Sequence, residues 1–335
     1  MFQIKGVDIL TNEENFKILS IDGGGIKGLY SAVILADFEE KYGKLSNHFN
    51  LICGTSTGGI IALALAAGIP AKEIVKLYQI KGEKIFPYTN GILYFLHKLK
   101  QGLLRSKYRE DNLKEALESV FGKKTVGECE TNILIPTANI TTGMPCIIKN
   151  NHSEGLTRDD KHTLVDVALA TTAAPTYFPI QEIKSMGHDN QFADGGIFAN
   201  NPSLHGIQEA YKFFINKNDR PFKKYSLLSV STLHQNFSFE KKLRVQRRSL
   251  FQWNVKLISL MMDLQSVSTH YHIEYLNSTL NGHYVRIESE PLEKRESKLV
   301  DLDKAGEKSI NLLINKGHEA SAKWIESDKI KVFFE

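Results

Sequence analysis

Two glycine-rich stretches hold the residue types that could do chemistry. Ser20 to Tyr30 reads SIDGGGIKGLY, and residues 23–28 satisfy G-x-G-x-x-G. That spacing, between an apolar run and a helical pattern, is the dinucleotide-binding fingerprint. The fingerprint also requires an acidic residue near the end of the second strand, about 20 residues on, to bind a ribose hydroxyl. Glu39 and Glu40 lie inside the first helical pattern, and the second apolar run ends in CGTSTGG, residues 53–59. The acid is missing, and G-x-S-x-G stands in its place: Ser56 between Gly54 and Gly58. This is the pattern of a nucleophile elbow, in which a tight strand-to-helix turn projects a serine hydroxyl above a sheet. A helix entering at Thr57 would aim its positive end at the reaction centre.

A serine attacking an ester makes a tetrahedral oxyanion that preorganised N–H groups must hold, each worth about 3 kcal/mol of barrier. Gly23, Gly24 and Gly25 offer N–H groups with no side chains in the way. The loop therefore reads as an oxyanion hole, with phosphate binding and a purely structural turn as the other readings. The serine also needs a proton acceptor. Of eleven histidines none lies in an obvious catalytic turn. His205 is the nearest candidate, and its ordinary reading is a solvated or capping residue. Asp194, before two glycines, is more suggestive, although D-G-G alone is mostly a turn signal. A free aspartate, with a pKa near 3.9, is a weak base; a dry apolar pocket would raise that value and improve it.

These groups need elements to position them. Apolar runs at 16–21, 49–53, 132–142, 145–149, 191–193 and 224–232 predict strands. Helical periodicity covers 29–42, 60–67, 71–86, 111–121 and 164–172, and Asn201 with Pro202 predicts an N-cap and first helical residue. Alternating strands and helices predict an α/β fold, a central mostly parallel sheet with helices on both faces. After about residue 235 the texture changes to a basic cluster (Lys241, Lys242, Arg244, Arg247, Arg248) and an apolar-periodic helix over 250–275. A strand at 283–288 and one or two helices follow. The expected organisation is an N-terminal segment 1–14, a catalytic domain 15–235 and a mainly helical C-terminal extension 236–335, either regulatory or packed on the core.

Composition sets wide bounds. With 335 residues, 42% hydrophobic and 24% charged, the chain is an ordinary globular one. Its net charge of +4 suits an anionic lipid surface or a phosphate ligand without requiring either. Cys53, Cys129 and Cys146 are too few for a disulfide framework or zinc site, which favours a reducing compartment. The start, MFQIKGVDILTNEENF, lacks a signal-like apolar run. The longest apolar stretch, Ile60 to Ala71, is far short of the roughly 20 residues that span a bilayer. Residues 91–108, GILYFLHKLKQGLLRSKY, have the composition of an interfacial helix or lid, or of a core helix with a solvated basic edge.

Taken together and in order, DGGGIKG, GTSTGG, Ala173-Ala174-Pro175 and FADGGIFANNPS resemble the patatin-like phospholipase family over roughly residues 15–232. The resemblance implies a metal-free, cofactor-free hydrolase of glycerolipid acyl esters. Ser56 would be the nucleophile and Asp194 its direct partner, a dyad without histidine. The loop Gly23 to Gly28 would form the oxyanion hole, chiefly through Gly24 and Gly25. Gly54, Thr57 and Gly58 would shape the elbow. Lys27 would touch a lipid phosphate or point to solvent. Some bacterial members of this size are anti-phage effectors switched on by cyclic nucleotides. The partners so implied are a phospholipid surface and a cyclic di- or trinucleotide, but neither DNA nor RNA; self-association into a homo-oligomer stays open. The implied location is the cytoplasm, at the inner face of the membrane. Two rival readings remain: a Ser–His–Asp esterase and a nucleotide-binding module.

Overall fold

A computed structural model describes residues 14–87, 106–234, 256–280 and 282–335. In chain order the elements are β1 (Asn15–Ile21), α1 (Gly28–Tyr42), β2 (Leu51–Gly54), α2 (Thr57–Ala66), α3 (Ala71–Ile85), α4 (Asp111–Phe121), β3 (Asn132–Asn139), β4 (Met144–Ile148) and α5 (Leu164–Thr171). Then come β5 (Gln181–Glu182), β6 (Gln191–Asp194), α6 (Gly196–Ala199), α7 (Ser203–Phe213), β7 (Lys224–Val230), α8 (Lys256–Leu280), β8 (His283–Ile287), α9 (Glu307–Trp324) and α10 (Asp328–Lys331).

The strands form one sheet ordered β5-β6-β3-β2-β1-β7-β8, with β4 also paired to β3. The pairs β1–β2, β1–β7, β2–β3 and β7–β8 are parallel. The pairs β3–β4, β3–β6 and β5–β6 are antiparallel. Side chains alternate faces along a strand, and two cores follow. Leu19, Ile21 and Ile52 face a layer holding Leu29 of α1, Ile60 of α2, Ile74 of α3 and Leu313 of α9. Phe16, Ile18, Leu51 and Cys53 face Ile207 and Ala210 of α7 and Ile273 of α8. The mostly parallel sheet with helices on both faces is as expected. α2 is buried all round, consistent with its unbroken apolar run.

One reading needs correction. The helix expected from Asn201 and Pro202 is α7, which begins at Ser203, one residue later than expected: Pro202 takes the capping place, and Asn201 Oδ1 accepts the Ser203 N–H at 3.0 Å. The strand expected at 283–288 is present as β8. β8 lies alongside β7 in the main sheet, and α9 packs on α1. Residues 282–335 thus pack on the core. The basic cluster at 241–248 lies outside the described residues, as does all of the 91–108 segment except 106–108. Among the described residues no helix is long and apolar enough to cross a membrane.

Candidate active site

Ser56 sits where β2 turns into α2, with φ 54° and ψ −125°. A non-glycine residue with positive φ is uncommon and is held only where its surroundings fix it. Here the Ser56 N–H donates to Thr171 Oγ1 at 3.0 Å, and that hydroxyl donates to the Pro136 carbonyl at 2.7 Å. The Ser56 carbonyl accepts the Ile60 N–H at 3.1 Å, closing the first turn of α2. Gly58 lets that turn lie against the end of β1, since a Cβ there would collide with the Ile21 carbonyl and come within 2.6 Å of the Asp22 carbonyl oxygen.

Asp194 ends β6, which runs antiparallel to β3 but pairs only with its last residues, Asp194 opposite Thr137, so the carboxyl stays near the end of the sheet where β2 also ends. Ser56 Oγ donates to Asp194 Oδ2 at 2.7 Å. The Gly196 N–H donates to Asp194 Oδ1 at 2.7 Å, so both carboxyl oxygens are engaged. Both side chains are buried. Burial pushes the Asp194 carboxyl up to about 7, against the opposing pull of the Gly196 N–H and the Ser56 hydroxyl. Proton affinity is thus raised in a group already bonded to the hydroxyl it would deprotonate.

The glycine loop divides into holders and free donors. The Gly23 N–H donates to the Asn200 carbonyl at 2.9 Å, and the Gly28 N–H donates to the Gly25 and Ile26 carbonyls. Neither is free, which corrects the expectation that Gly23 and Gly28 belong to an anion-binding set: both shape the loop. The N–H groups of Gly24 and Gly25 have no partner among the described residues. Gly25 has φ 58°, and a Cβ there would strike the Leu302 carbonyl. The Thr57 hydroxyl donates to the Gly25 carbonyl at 2.7 Å, tying loop to elbow.

Gly25, Ser56, Thr57 and Asp194 line one small cleft. Its other walls are apolar: Ile60, Tyr78, Phe86, Leu113, Ala174, Tyr177, Phe178, Met262 and Leu302, with Thr172 the one polar addition. Lys27 does not fit its expectation. Its side chain is 1% exposed, and Nζ lies 3.7 Å from Asp263 Oδ1 on α8, so it faces neither solvent nor the cleft lining. His205 is half-buried, edge-on to Phe198, with its pKa lowered by burial. Among the described residues no histidine bonds to Ser56 or Asp194, so the triad reading finds no base. No three His, Cys, Asp or Glu side chains among those residues are grouped to hold a metal ion.

The sequence reading missed Thr171, Asn200, Met262 and Leu302. Asn200 stood within the FADGGIFANNPS motif, but nothing local marked the other three.

With this geometry in place, comparison with known proteins is informative. The patatin-like phospholipase family model matches residues 19–207, more than half of the chain, and that span includes Gly24, Gly25, Ser56 and Asp194. The chain belongs to the patatin-like phospholipase family. This phospholipase is accordingly an ester hydrolase acting on lipid. A "cGAMP-activated phospholipase" of Pseudomonas aeruginosa (strain BWHPSA011 / Pa011) is 32% identical over 313 residues, covering 93% of this chain and 90% of that one. Proteins of the same name in Escherichia coli (strain TW11681) and Vibrio cholerae serotype O1 are 31% and 32% identical, over 95% and 93% of this chain and 92% of each of theirs. Among solved structures, VipD from Legionella pneumophila aligns over 90% of this chain and 67% of its own, with a TM-score of 0.38 and 14% identity.

Proposed function

We propose that this patatin-like protein is a phospholipase A-type acyl hydrolase working through a Ser56–Asp194 dyad. The observation that carries the reading is the 2.7 Å hydrogen bond from Ser56 Oγ to a buried carboxylate. Asp194 takes the Ser56 proton as the serine oxygen attacks the acyl carbonyl. The resulting oxyanion is held by the free N–H groups of Gly24 and Gly25. The proton passes from Asp194 to the departing lysophospholipid oxygen, leaving an acyl-enzyme. Water, deprotonated by Asp194, then releases the fatty acid and restores the serine. The apolar cleft suits the acyl chain, each buried methylene contributing about 0.8 kcal/mol.

The reading extends to two partners. Three relatives that match over nearly the whole chain are named as cGAMP-activated, which supports the same cyclic dinucleotide as activator here. A phospholipid surface is supported by α8. Met262 of that helix lines the cleft, while Met261, Leu264, Tyr271 and Tyr275 turn outward and are 56–79% exposed. An outward apolar and aromatic face next to the acyl-binding cleft suits insertion at the headgroup boundary, with the protein bound peripherally to the membrane.

The test is mass spectrometry of products from mixed phospholipid vesicles, for the wild type and Ser56→Ala, with and without cGAMP. Lysophospholipid and free fatty acid from the wild type with cGAMP, and none from Ser56→Ala, is the expected result. Turnover by Ser56→Ala would overturn the nucleophile assignment, and equal wild-type rates with and without cGAMP would overturn the activator.

A further inference from the structure

The glycine loop is braced from behind by groups that come mainly from beyond residue 255. Asp22, at the entry to the loop, takes a forked pair of bonds from Arg286 of β8, at 2.7 and 3.3 Å, with both side chains buried. The Gly23 carbonyl accepts from Asn200 Nδ2 at 3.2 Å, and the same amide donates to Ser266 Oγ of α8 at 2.9 Å. The Ile26 N–H donates to the Leu302 carbonyl at 2.9 Å. Each of these satisfies a polar group in the ordinary way.

The fourth brace is different. The buried Lys27 ammonium makes no hydrogen bond among the described residues, and its nearest counter-charge is Asp263 Oδ1 at 3.7 Å. The other carboxyl oxygen, Oδ2, is buried without a hydrogen-bond partner among the described residues. A fully buried ammonium and a largely buried carboxylate held just outside bonding distance are a poor stabilising device, and an apolar pair of the same volume is often neutral or better. Stability therefore does not account for the pair, but its position does suggest a role. Lys27 closes the short 3-10 turn Gly25–Lys27, and its N–H returns to the Gly24 carbonyl at 3.2 Å. The two residues with free N–H groups thus sit at the start of a turn whose end is tethered to α8.

We infer that Asp263 is a positioning residue for the reaction: through Lys27 it fixes the turn that carries the Gly24 and Gly25 amides, of which Gly25 lines the cleft, making α8 the element that sets the cradle. The inference rests on reading those amides as the oxyanion site. A donor displaced by about 1 Å forfeits on the order of 100-fold in rate. Because the loss falls on the transition state, it appears in kcat with KM unchanged.

The experiment uses the full chain with cGAMP present throughout. Asp263→Asn, Lys27→Met, their double variant, Lys27→Arg and Gly25→Ala are each assayed for kcat and KM on a dissolved short-chain nitrophenyl ester and on phosphatidylglycerol vesicles, with Tm for each. The expected result is a loss in kcat of about 30-fold or more for Asp263→Asn and for Lys27→Met on both substrates. KM should stay within twofold, the double variant should be no worse than the worse single one, and Lys27→Arg should recover part of the activity. A rise in KM confined to the phospholipid would overturn the inference in favour of a phosphate contact. A fall in Tm with kcat intact would make the pair merely structural, and additive losses would show that the two residues act separately. Gly25→Ala disturbs the cradle directly. If it keeps full kcat, the oxyanion reading itself fails; if it loses kcat while Asp263→Asn does not, only the positioning role fails. Should Lys27→Met not fold, the isosteric Asp263→Asn and the charge-conserving Lys27→Arg carry the test.

Discussion

Replacing Asp194 with Asn should make the protein more stable and inactive, and the gain should depend on pH in a calculable way. Burial lifts the Asp194 carboxyl from its ordinary 3.8 to about 7. Between those values the folded chain holds this proton more tightly than the unfolded chain does. Stability from this group is therefore fully present below about 4, falls as pH rises towards 7, and is flat above. At about 1.4 kcal/mol for each tenfold change in proton affinity, the displacement destabilises the wild type by about 4 kcal/mol at pH 8 relative to a permanently neutral side chain. About 3 kcal/mol of that loss falls between pH 5 and pH 8.

Asn has the same shape, keeps an oxygen for the Gly196 N–H and carries no charge to desolvate. Denaturant unfolding of both proteins at several pH values from 5 to 8 measures the effect, because every other titration is common to both and cancels in the difference. The wild type should lose stability relative to Asp194→Asn by about 3 kcal/mol across that range. Its kcat/KM should show an acidic limb at about 7, since only the carboxylate can accept the Ser56 proton. Parallel stability curves, with a difference constant to about 0.5 kcal/mol, would refute the raised proton affinity. They would leave Asp194 with the basicity of any surface carboxylate, too weak for the role assigned to it.

Two further outcomes follow from the geometry. Gly58→Ala drives a Cβ into the carbonyls at the end of β1; it should destabilise the fold by about 1–3 kcal/mol and slow fluorophosphonate labelling of Ser56, as read by denaturation and intact-mass spectrometry. Unchanged labelling would show that the elbow tolerates displacement. Leu264→Glu with Tyr271→Glu places charges on the outer face of α8 and should weaken co-sedimentation with phospholipid vesicles by about tenfold or more, given roughly 1.5–3 kcal/mol for each apolar side chain withdrawn from the interface. Equal co-sedimentation would remove that face as the membrane contact.

How far the site was legible in the sequence depended on how local each signal was. The glycine loop and the elbow each lie between an apolar run and a helical pattern only a few residues away, so both could be read in place. Asp194 could be named but not located. Its contact with Ser56 spans 138 positions, and the antiparallel pairing of β6 with β3 that delivers it leaves no periodic trace in so short a strand. The division of labour among the loop glycines was hidden in part for a related reason: the Gly23 N–H is taken by the Asn200 carbonyl, which belongs to a distant segment.

The strongest misdirection came from α8. Its apolar periodicity, carried by Leu257, Leu260, Met261 and Leu264, reads as a stripe packed on a core. In the fold the fully buried positions are Ser259, Met262, Ser266, Thr269 and Ile273, while Met261 and Leu264 are exposed. The rule that buries apolar faces assumes an apolar neighbour. Around Asp263 and Ser266 the inner face of α8 instead meets Asn200, Asn201 and Lys27, groups with bonds and charge to satisfy, and an unsatisfied buried polar group there would cost more than a buried Leu returns. Small hydroxyls and Asp263 therefore face inward, and Met261 and Leu264 are left outside, as a helix seated against a polar loop on its inner side requires.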